Sequence, residues 1–152
     1  MKTYKFGNTK IYFHKNELPD SIKFPKEVAI DTETTGLNLT RDRLCLMQIG
    51  FSQEECHLIK FDVDFFEKQN SSKKLKELFK NDSIQKIFHF GRFDLSIIKK
   101  FFGINCNNIF CTKIASKLVR TYTDRHGLKD LCKELLEVDL SKIQQSSDWS
   151  QE

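Results

Sequence analysis

A chain of 152 residues with 39% apolar and 30% charged side chains has enough material for one globular domain with a hydrophobic core. No apolar run is long enough to cross a bilayer, and the N-terminal MKTYKFGNTK has no signal-peptide core, so a cytoplasmic protein without a membrane partner is expected. The net charge of +4 permits a nucleic-acid partner without arguing for one.

Five cysteines, an odd number with no C-x-x-C pair, argue against a zinc module and are expected reduced and mostly buried. YKFGNTKIYF, residues 4–13, predicts two short strands around a Gly7-Asn8 turn. LPDSIKFP holds both prolines and is a connector. Residues 28–33, 44–51 and 56–61 read as three strands, the last two joined as a hairpin by SQEE. SSKKLKELFKND predicts a helix with Leu75, Leu78 and Phe79 on one face and lysines around the rest. Residues 84–90 predict a strand, and GRFDLSIIKKFFG a helix closed by Gly103. NIFCTKIASKLV gives a short strand and a helix. GLKDLCKELLEV gives another helix, with Leu128, Leu131, Leu135 and Leu136 as its apolar stripe. Early strands followed by alternating helices predict an α/β domain with a mixed sheet.

Within VAIDTETTGL, Asp31 and Glu33 are two residues apart on a strand and share a face, while Val28 and Ile30 imply a buried setting. Two adjacent like charges are costly unless neutralised, and a divalent cation that prefers carboxylate oxygens does so directly. Solvated acids on an edge strand are the alternative. The following TTG predicts a sharp turn, with Gly36 free to take positive φ and Leu37 thrust out beyond the acids. A third acid, Asp94, falls on the apolar face of its helix with Ile97, Ile98 and Phe101, where an unpaired carboxylate is anomalous. If that helix packs near the end of the Asp31 strand, three carboxylates converge as in a two-metal phosphodiester site. His89 lies at the end of the predicted strand before the Gly91 turn; a lone histidine is by default structural, but the strand–turn–helix leading to Asp94 favours a substrate contact.

These residues resemble a known family. DTETTGL (31–37) and HFGRFDL (89–95) are similar to the first two motifs of the DEDD 3′–5′ exonucleases, of ribonuclease H-like fold. KIFHFGRFDL, FCTKIASKLVRTYTDRHGLKDLC and QQSSDWSQE resemble the ribonuclease D branch, and within it the bacterial dinucleotidases called nano-RNase C. The resemblance implies that Asp31, Glu33 and Asp94 are catalytic metal ligands, that Leu37 wedges against a terminal base, and that His89 lies by the substrate. It implies two divalent ions (Mg²⁺ or Mn²⁺), hydrolysis of short RNA down to dinucleotides from the 3′ end with release of 5′-mononucleotides, and a homo-oligomer. FCTKIASKL and QQSSDW argue against a proofreading-type DNA exonuclease.

One motif is missing. The branch places Tyr-x-x-x-Asp, a fourth ligand and general base, about a dozen residues past the SDW segment, and this chain ends three residues after Trp149. Tyr122, His126, Asp124, Arg125 and Asp130 offer no convincing substitute. Asp130 is expected solvated, and Asp124 with Arg125 a loop pair or a contact to a neighbouring subunit. Ser147 or Asp148 would cap a helix that does not follow. The expectation is therefore an exonuclease domain lacking its C-terminal helices. The alternative is an inactive remnant or an assembly module that needs a separate C-terminal fragment.

Overall fold

The computed structural model describes residues 2–68 and 72–140. Seven strands form one sheet: β1 (Lys2–Phe6), β2 (Thr9–Lys15), β3 (Glu27–Thr34), β4 (Leu44–Gly50), β5 (Glu55–Lys60), β6 (Gln85–Phe88) and β7 (Ile109–Cys111). Among the described residues four helices follow or separate them: α1 (Lys73–Lys80), α2 (Arg92–Phe102), α3 (Thr112–Val119) and α4 (Leu128–Leu136). Sheet order is β1-β2-β5-β4-β3-β6-β7. β3, β4 and β5 are antiparallel in sequence, whereas β6 adds to β3 and β7 to β6 in parallel. This is the mixed α/β architecture that the element pattern predicts. Gly7 takes φ 58° in the β1–β2 turn, a region open to glycine without steric cost.

The core lies between one sheet face and the first two helices. Leu75, Leu78 and Phe79 of α1 and Ile97, Ile98 and Phe102 of α2 pack with Val28, Ile30, Met47, Ile49, Ile59 and Phe88. Phe102 is the hub, edge-on to Phe61, Phe66 and Phe79 at 5.2–6.1 Å between centroids. Such aromatic contacts add to plain burial. Gly103 closes α2 at φ 69°, its N–H bonded to the Lys99 carbonyl.

Three local expectations change. β6 ends at Phe88 rather than residue 90, because Phe90 turns to φ 58° and leaves the ladder. Only Leu131 of the α4 stripe is buried; Leu128, Leu135 and Leu136 stay exposed. They line an open apolar groove of about 360 Å³ between α3 and α4, with Phe110, Ala115 and Val119. Of the cysteines only Cys45 is buried, and all five are free thiols. Residues 144–152, with Ser147, Asp148 and Trp149, lie outside the described residues.

Candidate active site

Side chains alternate along β3. Val28, Ile30 and Thr32 turn into the core, whereas Ala29, Asp31 and Glu33 turn to the other, more open face. The two acids share a face as spacing requires, but it is not the face of Val28 and Ile30, so the apolar neighbours do not bury them. Asp94 approaches the same strand from α2. Because β6 pairs with β3 only as far as Ala29, the Thr32 N–H beyond it needs another acceptor. Asp94 Oδ1 supplies it at 3.0 Å and also accepts the Thr32 hydroxyl at 2.6 Å. Thr32, between the two acids, thus fixes the third, and Asp94 is buried as its helix face predicts.

The parallel register builds the rest of the site. Ala29 pairs with Ile87, and Ile87 with Phe110. β6 and β7 end one residue further on, at Phe88 and Cys111, so His89 and Thr112 directly follow two adjacent parallel strand ends. A 2.9 Å hydrogen bond between His89 Nδ1 and Thr112 Oγ1 joins the two ends. With the Thr112 hydroxyl donating to the Phe88 carbonyl at 3.2 Å, His89 Nδ1–H is the donor and Nε2 is left as an acceptor. Desolvation and the nearby Lys113 ammonium lower the His89 pKa, which favours this neutral form. His89 and Thr112 lie at the carboxyl ends of the parallel strands β6 and β7, next to the starts of helices α2 and α3; open α/β sheets bind ligands at such ends.

The carboxylates are electrostatically stressed. Desolvation, then the charge of Asp94, pushes Asp31 up to about 6 although part of its surface reaches solvent. Desolvation, then Asp31 and Asp94, pushes Glu33 up to about 7. Burial also raises Asp94, and its Thr32 hydrogen bonds oppose that rise. Gln48 Nε2 donates to Asp31 Oδ2 at a long 3.4 Å. Among the described residues no three His, Cys, Asp or Glu side chains stand close enough together to hold one ion. The chemistry of the donor set nevertheless fits a hard divalent cation, because hard carboxylate oxygens that repel each other are what such an ion neutralises.

Leu37 projects from the β3–β4 loop and is 82% exposed, as expected of a residue thrust out beyond the acids. The turn works differently from the expectation. Gly36 does not adopt positive φ; a Cβ there would collide with the Asp42 carboxylate. Asp42, which pattern reading passes over, accepts the Asn38 N–H at 2.8 Å and pairs with Arg41, while Lys100 of α2 donates to its carbonyl at 2.9 Å. The Leu37 loop is thereby tied to the helix of Asp94.

The weighed substitutes have structural employment. The Tyr122 hydroxyl donates to Glu134 Oε1 at 2.6 Å and accepts from Arg120 Nε. Arg120 also pairs with Glu134, joining the end of α3 to α4. His126 is buried, with Nδ1 2.8 Å from Ser116 Oγ. Asp130 is exposed, as expected. Asp124 and Arg125 form no ion pair with each other among the described residues.

A seven-stranded mixed sheet flanked by helices, with acids at the ends of β3 and at the start of α2, is a ribonuclease H-like fold. The chain belongs to the 3′–5′ exonuclease family, whose model matches residues 10–152. It is similar to Brucella melitensis NrnC: the structure bound to pGG has a TM-score of 0.83 and 51% identity, covering 93% of this chain and 67% of that one. A second structure of the same protein, with bound Mg²⁺, gives a TM-score of 0.81. Human exosome complex component 10 is 31% identical over 133 residues, 88% of this chain and 14% of that protein. Ribonuclease D of Jannaschia sp. is 30% identical over 126 residues, 81% of this chain and 31% of that protein. The chain therefore spans less than a third of these curated relatives.

Proposed function

We propose that this chain carries the substrate- and metal-binding part of a cytoplasmic 3′–5′ exoribonuclease of the ribonuclease D type, acting on short RNA as a homo-oligomer. The observation that carries the reading is the bonding of Asp94 to Thr32, the residue between Asp31 and Glu33, which brings a third carboxylate with a raised pKa to the strand that carries the other two. Asp31, Glu33 and Asp94 would hold two divalent ions, Mg²⁺ or Mn²⁺. When bound, these ions neutralise charge on the scissile phosphodiester and acidify the attacking water. Leu37 packs against the terminal base. His89, oriented through Thr112, offers Nε2 to the last nucleotide. Water adds to phosphorus, the P–O3′ bond breaks, the remaining strand gains a 3′ hydroxyl, and a 5′-mononucleotide leaves.

A second reading draws on the open groove between α3 and α4. Here the chain binds metal and short RNA but cuts only when further polypeptide supplies the Tyr-x-x-x-Asp base. Hydrolysis of a 5′-labelled RNA dinucleotide with Mn²⁺, beside Asp31→Ala, separates the two. Cleavage lost in the variant supports the first reading. Mn²⁺ binding that Asp31→Ala abolishes, without cleavage, supports the second. If neither cleavage nor Mn²⁺ binding depends on Asp31, the site is misassigned.

A further inference from the structure

Leu37 projects from a loop whose other side chains are also largely exposed, yet one side chain of that loop is not. Of residues 35–43 only Asp42 is buried, at 6% exposure. Taking a carboxylate out of water is costly unless hydrogen bonds replace the solvent. The ion pair with the exposed Arg41 does not account for the burial, because pairs with an exposed partner contribute little. What the burial achieves is local. Asp42 Oδ2 accepts the Asn38 N–H at 2.8 Å, and the same carboxylate fills the space where a Gly36 Cβ would sit. The residues on both sides of Leu37 are therefore held by one carboxylate. The turn is closed a second time by the Asp42 N–H, which donates to the Asn38 carbonyl at 2.8 Å. The Thr34 hydroxyl donates to the Gly36 carbonyl at 2.6 Å and fixes the entry to the loop. Lys100 Nζ, donating to the Asp42 carbonyl at 2.9 Å, then anchors the whole turn to α2. Asp94 lies on that same helix, about 9 Å back along its axis at 1.5 Å per residue.

Resting on the nuclease reading above, we propose that Asp42 is a positioning residue for the terminal nucleotide. Anchored to α2 by Lys100, its carboxylate holds Leu37 in place against the terminal base. Asp42 touches neither substrate nor metal in this role; it acts through Leu37. The physical gain is pre-organisation. An apolar side chain on a free loop must be ordered when the base arrives, and that ordering subtracts from the affinity of the contact. With Gly36 and Asn38 already fixed by Asp42, the ordering is complete before the base binds. The tie through Lys100 also gives Leu37 and Asp94 one common support, so that the base contact and the acids keep their spacing.

The test is calorimetric binding, in Mn²⁺, of two ligands: diadenylate RNA with a phosphorothioate linkage, and the same molecule without its 3′-terminal base. Wild type should prefer the complete ligand about tenfold, as expected for burying much of one leucine side chain, and Leu37→Ala should remove that preference. Asp42→Ala should bring the preference close to one while Mn²⁺ affinity is unchanged. Asp42→Asn, which keeps an oxygen for the Asn38 N–H, should retain most of it. An Asp42→Ala variant that weakens both ligands equally, with the preference intact, is a loop brace without bearing on the base and overturns the proposal. If Asp42→Ala loses Mn²⁺ binding as well, Lys100→Met on the exposed side of α2 decides: a reduced preference sustains the proposal and an intact one overturns it. Two controls separate this proposal from the nuclease reading. If binding requires Asp31, by comparison with Asp31→Asn, but wild type shows no base preference, the Leu37 contact and its positioning fall and the acids stand. If wild type binds no better than Asp31→Asn, the acidic site itself falls and the positioning with it.

Discussion

Thr32 has an apolar-facing position between two acids, and its hydroxyl and N–H both end on Asp94 Oδ1. Thr32→Val removes one of those donors from a buried carboxylate and should cost about 1–3 kcal/mol in thermal or urea unfolding. The same change should weaken Mn²⁺ binding, since Asp94 loses a bond that favours its charged form. Asp31 and Glu33 give a pH signature. Their native pKa values, about 6 and about 7, lie above the ordinary 3.8 and 4.5, so the native chain binds more protons in that window. Metal-free stability should therefore fall as pH rises from about 4 to about 7, while Mn²⁺ affinity rises over its upper part as protons stop competing. Melts in chelator and Mn²⁺ titrations at several pH values check both slopes, and Asp31→Asn should flatten each.

At the scale of elements, β2 is held to β5 by more than its ladder. His14 Nε2 and His57 Nδ1 are 2.9 Å apart, and His57 Nε2 is 2.9 Å from Glu55 Oε1. Both rings are buried. Desolvation first, then the His57 charge, lowers the His14 pKa from 6.5 to about 4. The native state therefore binds fewer protons than the unfolded chain between those values, and this contribution is lost as pH falls from 6.5 towards 4. It opposes the carboxylate trend above. His14→Gln should remove the acid-side loss, leaving a melt profile that rises more steeply towards low pH. The α1 face was legible from lysine and leucine spacing alone, since Leu75, Leu78 and Phe79 are fully buried. The α4 stripe was equally clear in sequence, yet three of its four leucines are exposed. A periodic pattern states which face of a helix is apolar; it does not state whether another layer covers it.

For the molecule as a whole, that uncovered layer is the main liability. Val119 of α3 is 76% exposed and lines one groove with the exposed Leu135 and Leu136 of α4. Contiguous apolar surface of this kind marks an interaction face or an aggregation hazard. The purified chain should bind an apolar dye such as ANS and associate with rising concentration in sedimentation. Val119→Lys with Leu136→Glu should suppress both while changing stability by no more than about 0.5 kcal/mol, as surface substitutions do. A large loss of stability would instead mean that the groove is already packed.

Local chemistry made much of this protein readable from its amino acids. The period-two pattern set Asp31 and Glu33 on one face, the helical period placed Asp94 inward, and glycines 7 and 103 marked a turn and a helix end, because each depends on backbone geometry within a few residues. The roles of Thr32, Asp42 and Thr112 depended on contacts between segments far apart in the chain. Spacing within one strand carries no information about which residue of another strand lies beside it. Only the tertiary structure, by ending β6 at Phe88 and opening α2 at Arg92, decided that the N–H of Thr32 would meet the carboxylate of Asp94.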